Sequence, residues 1–174
     1  MARPPVAFEW DADAAVTHLF TAHYRPMLRL ASLLLHDRGM AEEIVQDAYV
    51  ALHRHWRRLR DADKAVGYLR VTVVNRCRSA LRHRTVVAAH LAAARPPADA
   101  PSAEAGAIDR LTHDAVVAAL RKLPTRQREA IVLRYYADLS EADTAEAMGV
   151  SRGAVKSHTS RGVAALKQTL GQLS

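Results

Sequence analysis

Along residues 16–34, apolar side chains recur at spacings of three and four: Val16, Leu19, Phe20, Met27, Leu30, Ala31 and Leu34, with His23 in the same phase. That period predicts an amphipathic helix, which Pro26 is expected to kink or restart. Gly39 opens a second helix, with Glu42 and Glu43 near its N-terminus, where the helix dipole favours anions. Ile44, Ala48, Leu52, Trp56 and Leu59 form its stripe.

A third helix follows. At 100° per residue, Val66, Leu69, Val73, Val74, Cys77 and Leu81 gather on one side, and Lys64, Tyr68, Thr72, Asn75, Arg78, Ser79 and Arg82 on the other. The run Val71-Thr-Val-Val74 is locally strand-like, but the longer helical period outvotes it. The second half of the chain reads as four helices, at about 109–122, 125–137, 140–148 and 151–170. The third of these is introduced by the capping box Ser140-Glu-Ala-Asp143. Sustained period-2 alternation is absent, so the expected fold is all-α: two small helical domains joined by a flexible linker.

Residues 95–106 hold three prolines, a glycine and no large apolar side chain, which is the composition of a linker. The expected division is a tail at 1–13, a first domain at 14–86, a linker at 87–107 and a second domain at 108–174. Met1 to Asp13 has no apolar core of the signal-peptide kind. The longest apolar run, Leu30 to Leu35, is far too short for the ~20 residues of a membrane span. No membrane insertion and a cytoplasmic location are therefore expected.

Composition sharpens this picture. Of the 174 residues 49% are hydrophobic and only 5% aromatic, a mixture that suits helices. A formal net charge of +7 points to a polyanionic partner, nucleic acid before membrane. Ten Lys/Arg face two acids between His53 and Arg84, and an aromatic, an amide and hydroxyls (Tyr68, Asn75, Ser79) lie among the cations. Cations hold phosphates, while amides and hydroxyls can bond unpaired base edges.

The sharpest local signal is Ala145, Gly149 and Val155. A helix-turn-helix needs a small residue for close approach, a glycine for the left-handed turn, and a branched anchor for the second helix. Ser151 can cap that helix, and Arg152, Lys156, Ser157, Ser160 and Arg161 project outward as a major-groove reader requires.

With one cysteine, Cys77, neither an intrachain disulfide nor a thiolate metal cluster can form. The histidines have no metal-ligand spacing, no catalytic triad context is present, and no Gly-rich phosphate loop occurs. No enzyme activity, metal or cofactor is expected.

These residues together resemble a sigma-70-type RNA polymerase sigma factor of the extracytoplasmic-function group. Glu42-Glu-Ile-Val-Gln-Asp-Ala-Tyr49 is similar to the family's core-binding segment. Tyr68 to Arg76, with Leu81-Arg-His-Arg84, resembles its −10 helix. Leu123 to Tyr135 and Gly149 to His158 resemble its −35 domain. The resemblance implies that Glu43, Gln46 and Asp47 dock on the clamp of the polymerase's largest subunit. It implies −10 contacts from Leu59, Lys64, Tyr68, Asn75, Arg78, Ser79 and Arg82, with Asn75 lining a pocket for a flipped base. It implies −35 contacts from Ser151, Arg152, Lys156, Ser157, Ser160 and Arg161, a β-flap contact including Leu133, and an anti-sigma factor as a further partner. Ser79 stands where many members have Asp, and Ser160 where many have a large aromatic.

The chief alternative is a two-domain helix-turn-helix regulator that binds duplex DNA without core polymerase, because Val155-Lys-Ser-His158 occurs in that class too. A response regulator of that kind needs an α/β receiver before the linker, and the first half has no buried-strand pattern. A purely structural helical adaptor accounts for the helices but not for two basic faces.

Overall fold

Asp11 starts the first helix: its Oδ1 accepts the Ala14 N–H at 2.8 Å, and α1 runs over Ala12–Leu35. The computed structural model describes residues 11–59, 61–91 and 109–171. The expected tail up to Trp10 and the proline-rich stretch 95–106 lie outside them. α1 continues through Pro26 as one helix. Ala22 and Pro26 are both exposed, so the carbonyl that proline cannot serve lies on the wet side, while Leu19, Met27, Leu30 and Leu34 hold the opposite face in the core. Phe20 departs from the expected stripe. It is 42% exposed and stacks on Tyr24, with ring centroids 4.5 Å apart.

α1 ends at His36, whose left-handed backbone (φ 57°) returns its N–H to Ser32 at 2.8 Å. α2 spans Arg38–Leu59. Asp37 rather than Gly39 starts it, accepting the Met40 N–H at 3.0 Å; a carboxylate satisfies an orphan amide, which a glycine cannot do. α3 spans Ala62–Leu91, with Asp61 accepting the Asp63 N–H at 2.9 Å. It includes the β-branched run and passes residue 86, where the first domain was expected to end. Nothing between Arg84 and Leu91 breaks a helix, so residues 87–91, assigned to the linker, are helical.

In the second half, α4 is Asp109–Lys122, α5 Thr125–Ile131, α6 Glu141–Met148 and α7 Arg152–Gly171. The single helix expected at 125–137 instead gives way to a π turn at Val132–Tyr136. There the Ala137 N–H reaches the Val132 carbonyl at 3.0 Å, and Leu139 reaches Leu133 at 3.1 Å. Asp138 turns left-handed (φ 49°), and the Arg134 guanidinium donates to the Leu139 carbonyl.

α1, α2 and α3 pack on one another, α7 lies against α4, α5 and α6, and the two groups meet where α3 touches α6 and α1 touches α5 and the π turn. One apolar cluster runs through both, from Ala15 to Val155. No helix among the described residues is long and apolar enough to cross a membrane.

With few aromatics, this core depends on close helix approach. α7 lies so near α5 that a Cβ on Gly162 would meet Ile131 Cδ1 at 2.5 Å and Gln127 Cβ at 3.3 Å. Gly162→Val is therefore expected to cost about 1–3 kcal/mol in urea denaturation, the range for overpacking.

His36 sits beside the second unit, and neither ring nitrogen has a hydrogen-bond partner in the protein. Burial first, then the charges of Arg128 and Arg121, pushes its pKa down from 6.5 to about 4. Because the folded value is depressed, the unfolded chain binds the extra proton. Stability from this site is complete above about pH 6.5 and is lost as pH falls toward 4. His36→Asn, which keeps a residue tolerant of the left-handed turn, is expected to flatten the fall in stability between those pH values. Urea midpoints at pH 7 and pH 5 check this.

Candidate nucleic-acid interfaces

The helix-turn-helix is built from its caps outward. Ser140 Oγ accepts the Asp143 N–H at 3.1 Å and donates to the Asp143 carboxylate at 2.6 Å, starting α6. Gly149 ends α6 in the left-handed region (φ 64°), and the Val150 N–H turns back to the Ala145 carbonyl at 3.0 Å. Ser151 Oγ accepts the Ala154 N–H at 3.2 Å to start α7. Val155 is fully buried and Ala145 nearly so, as close packing of the two helices requires. With Val155 inward, Ser151, Arg152, Lys156, Ser160 and Arg161 are exposed, and Ser157 is half-buried. Lys156 lies 3.9 Å from Glu141, too loose a pair at the surface to occupy it.

α3 presents a different surface. Ala65, Leu69, Val73, Val74 and Cys77 are buried, while Asn75, Ser79 and Arg82 are exposed and Tyr68 is half-buried. Tyr68 packs on His55 of α2, its hydroxyl 3.2 Å from the ring Nδ1. Leu59 lies half-buried at the end of α2, packed on the core. Lys64 is exposed in the first turn of α3. Burial raises the Cys77 thiol to about 12, so it behaves as a core side chain, not a nucleophile.

The cationic strip is less open than its count suggests. Arg76 pairs with Asp47 at 2.7 Å, Arg84 with Asp37 at 2.9 Å, and Arg78 with Glu129 at 2.6 Å. The first two are exposed or half-exposed surface pairs. The third is different: the Arg78 side chain is 14% exposed and that of Glu129 only 3%. Arg78, expected on an open face, is held against the second unit. Its Nε and Nη2 donate to Glu129, Nη2 also approaches the Ala147 carbonyl at 3.4 Å, and Nη1 donates to Asn75 Oδ1 at 3.1 Å.

On α2, Glu43, Gln46 and Asp47 are exposed in one row, and Val50, 51% exposed, continues it one turn on. The expected row lacked Val50, which the i+3/i+4 spacing could have added. Leu133 is a correction: it is fully buried and cannot form part of a docking surface. The apolar surface here is instead a groove of about 520 Å³, lined by Val116, Leu120, Tyr135, Tyr136 and Leu166 of the second unit and by Leu33 of α1, among others. Tyr135, at 68% exposure, is its most open aromatic. Among the described residues, no three His, Cys, Asp or Glu side chains are grouped to hold a metal ion.

Two family models match the chain: sigma-70 region 2 over residues 19–86 and sigma-70 region 4 over 113–166. Among curated relatives, the ECF RNA polymerase sigma factor SigM of Mycobacterium tuberculosis is 35% identical over 161 residues, covering 92% of this chain and 79% of that one. The ECF sigma factor SigL of the same organism is 32% identical over 168 residues, covering 93% of each. This chain belongs to the ECF RNA polymerase sigma factor family.

Two solved structures share the fold of this sigma factor. RpoE of Bartonella quintana, solved with the anti-sigma factor NepR, superposes with a TM-score of 0.74 at 23% identity, covering 89% of this chain and 96% of that one. CnrH, solved with the cytosolic domain of CnrY, gives 0.64 at 23% identity, covering 94% and 96%. As a sigma factor the chain is a non-enzymatic, promoter-recognising initiation subunit. The helix-turn-helix lies inside the region 4 match, and α3 up to Val86 inside the region 2 match.

If α7 reads duplex DNA through exposed cations, Lys156→Ala and Arg161→Ala should each weaken duplex binding across sequences. Each should also lower the slope of log K against log salt by about 1. Fluorescence anisotropy over a salt series measures both.

Proposed function

We propose that this ECF sigma factor grips promoter DNA at two places while seated on core RNA polymerase. α7 reads the −35 duplex through Ser151, Arg152, Lys156, Ser157, Ser160 and Arg161. α3 and the end of α2 hold the −10 strand through Leu59, Lys64, Tyr68, Asn75, Arg78, Ser79 and Arg82. The observation that carries the reading is the capped α7, with Val155 buried beneath and cations exposed above.

Melting follows from the energetics of capture. Opening a duplex costs about 1.4 kcal/mol per base-pair step, more than one small protein supplies over a whole bubble. Holding a single extruded base against Asn75, with neighbouring phosphates on Lys64 and Arg82, traps a state that the duplex visits by itself. Polymerase contacts supply the remainder. The exposed row Glu43, Gln46 and Asp47 is the proposed seat on the largest-subunit clamp, with Val50 beside it. The apolar groove around Tyr135 takes the place of Leu133 as the proposed β-flap seat. Working with polymerase puts the protein in the cytoplasm, and the solved relatives' NepR and CnrY complexes support an anti-sigma factor as its regulator.

Adding the protein to core polymerase should yield a run-off transcript from a promoter selected from genomic fragments. No specific transcript would reject the assignment and favour a polymerase-independent DNA-binding protein. Asn75→Ala should reduce permanganate-detected opening more than duplex binding in a gel shift, since its proposed ligand is an unpaired base. Equal losses in both would remove Asn75 from that role.

A further inference from the structure

Glu129 is an acid that neither of the proposed DNA faces uses, yet it is among the most deeply buried charged side chains described. It lies at the seam of the two units, next to Cys77, Leu34, Val74 and Leu81. Two guanidiniums hold it: Arg78 from α3 through Nε at 3.1 Å and Nη2 at 2.6 Å, and Arg126 from its own helix at 3.0 Å. Arg126 also donates to the Met148 carbonyl at 3.1 Å, and Arg78 reaches the Ala147 carbonyl at 3.4 Å, so both cations sit over the negative C-terminal end of α6. A carboxylate beside a helix C-terminus offers an arginine what a nucleic-acid backbone offers it, anionic oxygens in fork geometry.

We propose that the second unit is an internal competitor for α3: in the closed chain Glu129 occupies Arg78 in place of the promoter strand, and the seam must part before α3 can take single-stranded DNA. This rests on the assignment of Arg78 to the −10 contact.

The latch is built to exchange. When the seam opens, Glu129 keeps Arg126, its neighbour one turn away, so the carboxylate is not stranded. Arg78 keeps Asn75 Oδ1 and gains water or phosphate. Breaking a buried pair is costly mainly when one partner is left unpaired in the interior. Here each partner has a second neighbour on its own side, and opening exposes both to water.

Glu129→Gln keeps the shape and removes the charge. Small-angle scattering of the full chain should show a radius of gyration above that of the wild type, itself near the ~16 Å expected of a compact chain of 174 residues. A labelled mixed-sequence single-stranded 20-mer should bind several-fold tighter. Its log K against log salt slope should steepen by about 0.7, the contribution of one more phosphate contact. Arg78→Ala opens the same seam from the side that leaves the interior of the second unit intact. It should expand the chain equally but give no gain in DNA affinity. Helicity by circular dichroism checks that both variants fold.

A wild type already as expanded as the variants, or a Glu129→Gln chain as compact as the wild type with unchanged DNA affinity, overturns the latch. Expansion without a gain in single-strand affinity overturns the competition and strikes the −10 assignment of Arg78. Both results are separate from the run-off assay, which tests the sigma function itself.

Discussion

A carboxylate taken out of water must be met by opposite charge, and in this protein Glu129 is met from both halves at once. That demand determines how the halves sit. Arg78 can reach Glu129 only if α3 lies across the end of α6, and Arg126 can reach both Glu129 and Met148 only if α5 lies alongside. The apolar cluster that runs through the seam adds area, but hydrophobic contact is non-directional and does not select one docking angle from its neighbours. The ionic contact is directional, and it supplies the orientation.

The same logic changes what the basic surplus means. A count of ten cations on residues 53–84 describes a long electropositive strip, yet three of those cations meet acids from distant parts of the chain: Asp37, Asp47 and Glu129. Net charge sets the field far from the molecule, where pairs cancel; contact with a strand depends on which guanidiniums are unengaged. Arg54, Arg57, Arg58, Lys64 and Arg82 are exposed, and no carboxylate among the described residues pairs with them, so they make up the open part of the strip.

The local rules of helix chemistry were sufficient for much of the architecture. Ser140, Gly149, Ser151 and Val155 behave as their types and spacing require, because each acts on backbone within one turn of itself. The buried side of α3 was legible for the same reason, and a 30-residue helix overrode the strand preference of Val71 to Val74. What failed were features decided by distant partners. Arg78 lies on the polar side of α3 by phase, and only the placement of α5 makes it a seam residue. Leu133 reads as a surface residue by analogy and is fully buried, on the inward face that Glu129 and Ala130 already set in α5. Gly39 looked like a helix opener, but Asp37, two residues earlier, has the acceptor that an N-terminus needs. The close approach at Gly162 left no trace in periodicity, because a glycine inside an apolar pattern looks the same whether or not a neighbouring helix touches it.

The π turn at 132–136 also bears on how this chain can vary. Closing a hydrogen bond over five residues instead of four accommodates one residue more than a regular helix, and takes up within one turn what regular winding would pass on as a phase shift of about 100°. Deleting one position between Val132 and Tyr136 is expected to restore ordinary winding while Leu139, and the start of α6 behind it, stay near their present phase. A one-residue change of length in this segment is therefore taken up locally, whereas the same change inside α7 would carry every residue beyond it about 100° round the helix axis.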